Sequence, residues 1–121
     1  MMTGLTSGCA TCGDTCGPRG VDVIAHRGAS AYAPENTLAA FQLAHEMGAD
    51  WFELDCTLTK DGQVLVIHDD SVERTAGVKR HVSDMTLAEL KELDAGSWKD
   101  PKYAGERLPT LAEALDLAKG K

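Results

Sequence analysis

The segment Trp51-Phe52-Glu53-Leu54-Asp55-Cys56-Thr57-Leu58 alternates apolar and polar residues without a break, and Lys60-Asp61-Gly62-Gln63 follows it at once. A period of two marks a half-buried β-strand, and Asp-Gly between two apolar runs is a strong hairpin signal. One face then carries Phe52, Leu54, Cys56 and Leu58, and the other carries Glu53, Asp55 and Thr57. A two-residue Asp61-Gly62 turn would pair Lys60 with Gln63 and set Asp55 directly opposite His68, with Cβ atoms roughly 5 Å apart. The competing arrangement makes 64–67 a parallel barrel strand reached by a longer loop, which still brings His68 to the same end of the sheet.

The chemistry of that face is unusual. Two acids on one strand face, flanked by residues that belong indoors, are costly unless something positive lies between them. A divalent cation would remove the repulsion, and carboxylate oxygens suit Mg²⁺ or Ca²⁺. Upstream, residues 21–25 read as a strand that ends at the turn His26-Arg27-Gly28. Two imidazoles, an arginine and two carboxylates therefore stand at or near strand ends, as acid–base work on a phosphate ester requires. Taken singly, each has a structural use: Arg27 could pair with Glu35, His26 could cap a strand, and His68 could be an edge residue. Taken together and in order, they favour a site. Glu35 and Asn36 are expected to brace the loop after the first strand. His45 and His81 read as surface residues, and Trp51 and Trp98 as packing residues.

Helices are marked by caps. Asn36 is the expected N-cap of a helix over 37–47, with Leu38, Phe41 and Ala44 along its apolar stripe and Gly48 just past its end. Thr86-Leu87-Ala88-Glu89 and Thr110-Leu111-Ala112-Glu113 both match the capping box. Leu87, Leu90 and Leu93 line the first of these helices, which Gly96 is expected to close. Leu111, Ala114, Leu115 and Ala118 line the second.

At 121 residues and 43% hydrophobic, the chain is one domain or a piece of one, with enough apolar material for a core. Its net charge of -7 speaks against a nucleic-acid binder, which needs a basic face. No apolar run is long enough for a membrane span, and the start lacks the basic and apolar regions of a signal peptide, so the cytoplasm is the expected compartment. Cys9, Cys12 and Cys16 fall in a Gly- and Thr-rich leader over 1–20, read as disordered with reduced thiols rather than as a metal site, since no fourth ligand is near. Cys56 is expected to be a small buried apolar residue.

His26-Arg27-Gly28-Ala29-Ser30, Pro34-Glu35-Asn36-Thr37, Gly48-Ala49-Asp50, Glu53-Leu54-Asp55, Thr59-Lys60-Asp61-Gly62 and His68-Asp69 resemble, in order and spacing, the glycerophosphodiester phosphodiesterase family. Arg74-Thr75, Leu93-Asp94-Ala95-Gly96 and Pro109-Thr110-Leu111 extend the likeness, which covers 21–121. The resemblance implies the N-terminal part of an α/β TIM-type barrel, with 70–108 as a small insertion near the substrate entrance. It implies hydrolysis of a small-molecule glycerophosphodiester to an alcohol and glycerol 3-phosphate, with His26 and His68 as the acid–base pair. Arg27 would contact the phosphate, and Glu53 and Asp55 would ligate a divalent cation. Members supply a further acidic ligand from a later strand that this sequence does not contain, and such barrels take about 250 residues. The chain is therefore expected to be a truncated product or fragment, catalytically silent on its own in the alternative reading, with an open sheet edge after 64–67 through which it self-associates.

Overall fold

A computed structural model describes residues 20–121; the leader cysteines lie outside the described residues. β1 (Ile24–His26) and β2 (Trp51–Glu53) run parallel, and α1 (Leu38–Glu46) is the crossover between them. β3 (Cys56–Leu58) and β4 (Val64–Val66) form an antiparallel hairpin. Two short helices, α2 (Glu73–Ala76) and α3 (Leu87–Lys91), and α4 (Leu111–Lys119) follow, with 3₁₀ turns at Val82–Asp84 and Pro101–Tyr103.

α1 begins one residue later than expected because Thr37, not Asn36, caps it: the Thr37 hydroxyl accepts from Ala40 N. Its end follows the expectation. Gly48 takes φ +83°, Gly48 N donates to His45 O and Ala49 N to Ala44 O, which is a complete Schellman motif. Both capping boxes form, at Thr86 and Thr110. Gly96, however, does not close α3, which stops at Lys91. A Cβ at Gly96 would lie 1.9 Å from Tyr103 O, so this glycine permits a close backbone crossing instead.

The long alternating strand is divided. Asp55 N donates to the side-chain oxygen of buried Asn36 rather than to a strand neighbour, and Asp55 O accepts from Ile67 N at 2.9 Å. The chain thus leaves β1 at Glu53 and joins β4 from Cys56. The Asp61-Gly62 turn is present, but Thr59 closes it one residue wider: Thr59 N donates to Gln63 O, and Thr59 Oγ1 accepts from Gln63 N. Gly62 adopts φ +77° in the resulting three-residue loop. The register is therefore Cys56 with Val66 and Leu58 with Val64, and Asp55 faces Ile67 rather than His68. A slip of one residue exchanges faces. Cys56 and Leu58, expected indoors, are exposed.

β4 separates two hydrophobic clusters. Leu65 and Ile67 join Val72, Val82, Met85, Leu90, Ala95 and Leu108 on one side. Val66 joins Phe41 and Ala114 on the other, with Phe52, Leu54 and Leu111 packed against them. Phe41 and Phe52 stack at 4.5 Å between centroids. The outer edge of β4, expected to be open, is met by residues before α4: Val66 N donates to Pro109 O, and Leu65 bridges Thr110. Exposed apolar surface lies elsewhere, at Val23, Ile24, Trp51 and Leu115. Trp51 is thus not the packing residue its composition suggested. No helix among the described residues is long and apolar enough to cross a membrane.

Candidate active site

β1 delivers His26 and then turns sharply. Arg27 (φ +60°) and Gly28 (φ +78°) are consecutive left-handed residues, and a Cβ at Gly28 would lie 2.7 Å from the Ala40 carbonyl carbon. The turn lies flat against α1, with Ala29 N donating to Ala40 O. A left-handed arginine costs about 1–3 kcal/mol. Its surroundings hold it there: Arg27 N donates to Glu53 Oε2 at 3.1 Å, and Arg27 O accepts from Asn36 N at 3.0 Å. Asn36 is itself left-handed (φ +56°), which an Asn tolerates better than most residues.

The parallel register sets His26 beside Glu53, with Nε2 3.8 Å from Glu53 Oε2. The Arg27 guanidinium lies between two carboxylates. Nη1 donates to Glu35 Oε1 at 3.1 Å, and Nε lies 3.2 Å from Asp55 Oδ2. The second approach is an ion pair without hydrogen-bond alignment, since buried Nε has no satisfied bond. Nη2 has no partner among the described residues. Asn36 holds Asp55 from both sides, donating Nδ2 to Oδ2 at 3.0 Å and accepting from Asp55 N.

His68 follows β4, and its Nδ1 lies 2.8 Å from Asp69 Oδ1. Asp69 accepts from Arg74 Nε and Nη2, and Arg74 also donates Nη1 and Nη2 to Glu35. An unbroken series of polar contacts thus runs from His26 through Glu53, Arg27, Glu35, Arg74 and Asp69 to His68. Arg74, then Arg27, holds the Glu35 carboxyl below its ordinary value against the opposing pull of burial. Arg74 and then His68 depress Asp69 well below the usual carboxylate range, and Glu35 and Asp69 raise Arg74 in return.

The structure joins all seven sequence-nominated residues, His26, Arg27, Glu35, Asn36, Glu53, Asp55 and His68, in one connected region. It does not form the expected Asp55–His68 cross-strand pair, because the hairpin loop is wider than two residues. His45 and His81 are exposed and stand outside the network. Sequence reasoning gave no role to Asp69 or Arg74. Asp69 could have been nominated from its place next to His68. Arg74 stood only in the Arg74-Thr75 motif, and its role was not legible because one of its two partners, Glu35, is far away in the chain. Distant partners likewise hide Lys99, whose Nζ donates to Ser30 O, and Glu106, which accepts from Ala39 N.

A cavity of about 250 Å³ flanks His26, bounded by Gly28, Ser30, Tyr32 and Met47. A larger one of about 640 Å³ lies between β2 and α4 and contains none of the network residues. Among the described residues, no three His, Cys, Asp or Glu side chains converge as a ready cation site. Glu53 Oε1 and Asp55 Oδ1 nonetheless accept no hydrogen bond among the described residues. Two hard carboxylate oxygens thus remain without a hydrogen-bond donor, and ligands of that type suit a divalent cation.

The profile of the glycerophosphoryl diester phosphodiesterase family matches residues 26–121. A glycerophosphodiester phosphodiesterase of Caldanaerobacter subterraneus is 57% identical over 95 residues, which is 78% of this chain and 39% of the relative. One from Bacillus subtilis is 44% identical over 115 residues, 88% of this chain and 39% of that protein. Among solved structures, a phosphodiesterase of Oleispira antarctica in complex with the product sn-glycerol-3-phosphate superposes with a TM-score of 0.80 at 47% identity, covering 83% of this chain and 40% of that one. The chain therefore spans about two fifths of the length of the relatives it matches.

Proposed function

The chain belongs to the glycerophosphoryl diester phosphodiesterase family and carries part of its TIM-type barrel, and from that premise we propose that it contributes the acid–base and phosphate-binding part of a site that hydrolyses glycerophosphodiesters to an alcohol and glycerol 3-phosphate. The observation that carries this reading is the continuous series of contacts linking both imidazoles through Arg27 and the acidic residues. The product bound by the Oleispira relative supports the choice of substrate class.

A phosphodiester anion repels nucleophiles, and its alkoxide is a poor leaving group. Arg27 answers the first difficulty: with Nη1 bonded to Glu35 and Nε buried beside Asp55, Nη2 is left to meet a phosphate oxygen. Glu53 and Asp55 would hold a divalent cation, which when bound supplies further neutralisation of phosphate charge. One histidine accepts the proton of the attacking glycerol hydroxyl or water, and the other returns a proton to the departing alcohol oxygen. Each transfer is worth about 10²–10⁴-fold. Attack by the neighbouring hydroxyl would give a cyclic phosphate that water then opens. Because Asp69 takes the Nδ1 side of His68, Nε2 is the nitrogen left to exchange a proton. The 70–108 segment belongs to this reading as the part that overhangs the substrate entrance, supported by Arg74 and Lys99 reaching the β1–α1 loop and Glu106 reaching the first turn of α1. Cytoplasmic residence is the matching compartment, in keeping with the exposed free thiol of Cys56.

The test is incubation of the 121-residue chain with glycerophosphocholine and Mg²⁺ or Ca²⁺, followed by assay of glycerol 3-phosphate. Release that falls at least about 10²-fold in His68→Ala supports the reading. No release from folded chain favours the alternative, in which this stretch is silent alone. The specific observation behind that alternative is the lack of a third ligand beside Glu53 and Asp55 among the described residues.

A further inference from the structure

We propose that Arg74 is a positioning residue that fixes the imidazole of His68 and registers it against Arg27, through a fork gripping two carboxylates from different parts of the chain. This deepens the functional reading above and rests on it.

The geometry is specific to a guanidinium. Arg74 Nε and Nη2 reach Asp69 Oδ2 and Oδ1 at 2.8 and 3.0 Å, and Nη1 and Nη2 reach Glu35 Oε2 and Oε1 at 3.0 and 2.7 Å. Both edges of one planar cation are thus filled by carboxylates, an arrangement that a lysine ammonium cannot reproduce. The ring of Trp98 lies 5.7 Å from Arg74 Cζ and limits the plane the fork can adopt. Among the described residues, only Arg74 and His68 contact the Asp69 carboxylate, so Arg74 decides where it points.

Asp69 Oδ1, once fixed, faces His68 Nδ1 at 2.8 Å. A carboxylate in that place favours the tautomer with the proton on Nδ1 and orients the ring. The depressed Asp69 carboxyl keeps this acceptor ionised at neutral pH. On its other edge the fork steadies Glu35, whose Oε1 also accepts from Arg27 Nη1. One side chain therefore ties the phosphate-facing arginine to the proton-transferring imidazole. Without it, Asp69 is free to turn toward water, and the preference of His68 for Nδ1–H weakens.

The experiment is ¹⁵N NMR of the imidazole nitrogens in the 121-residue chain at pH about 8.5, where an ordinary imidazole is neutral. In the wild-type chain His68 is expected to be mainly Nδ1-protonated. In Arg74→Gln the ratio of Nδ1–H to Nε2–H should fall at least about threefold, while the signals of His45 and His81 stay in place. Arg74→Lys, which keeps the charge and so protects the fold, should give an intermediate ratio. A wild-type His68 protonated on Nε2, or an unchanged ratio in both variants, overturns the proposal; an unchanged ratio in Arg74→Lys alone assigns the effect to charge and overturns the fork. The measurement needs no turnover. Failure to release glycerol 3-phosphate would strike the functional reading while leaving the tautomer result to decide the role of Arg74.

Discussion

The two sides of β4 are built differently. On one, Leu65 and Ile67 close over Val72, Val82, Met85, Leu90 and Leu108, all of them buried. On the other, β1 and β2 carry the candidate chemistry, yet Ile24 and Trp51 remain more than half exposed. The segment following the hairpin makes a sealed core of its own, whereas the parallel strands are supported mainly by α1 and by polar contacts at their ends. Precision at the site is therefore supplied less by apolar packing than by hydrogen bonds to backbone and charge.

That contrast can be broken by substitution. Leu65→Ala removes a fully buried side chain from the sealed core and should cost about 3–4 kcal/mol in urea unfolding; a loss below about 1 kcal/mol would mean that core is loose. Gly28→Ala tests the other side through geometry. The added methyl meets Ala40 in a left-handed turn, so a loss of about 2–3 kcal/mol is expected, together with loss of any hydrolysis. Acid titration sharpens the role of the polar ends. Asp69 and Glu35 have folded values below their ordinary ones. The stability they contribute is present at neutral pH, begins to fade as pH falls through the ordinary carboxylate range, and is lost below the folded values. Arg74→Gln should accordingly lower stability at pH 7 by about 1 kcal/mol, after allowance for partial exposure. That gap should close as the pH is taken below about 4; a gap that widened in acid would refute the assignment. The smallest effect is expected at Leu115→Ser, within about 0.5 kcal/mol because the side chain is 51% exposed. A cost matching Leu65→Ala would show that something covers this surface in solution.

Much of this arrangement was readable from the residues. Thr86 and Thr110 announced their capping boxes, Gly48 its Schellman turn, and the order of His26, Arg27, Glu53, Asp55 and His68 their common neighbourhood. The misreadings have local causes. Alternation across Trp51–Leu58 could not reveal that Asn36, distant in sequence, would take the Asp55 N–H and divide the strand. Asp61-Gly62 announced a turn, but the Thr59 hydroxyl decided its width and hence the register. Arg74 entered only as part of the Arg74-Thr75 motif and without a role, because an arginine in a short polar helix looks like any solvated one until the fold brings Glu35 to it.

The alternation of β4 has a consequence for anyone wishing to rebuild this molecule. Leu65, Val66 and Ile67 answer to different compartments in turn, so neither half can be exchanged for a homologous part without taking the strand along. A chimera joined within the strand would mismatch both interiors at once. Joined at the Lys60-Asp61-Gly62 loop and again before Pro109, it would still have to inherit side chains chosen for the neighbour it left behind.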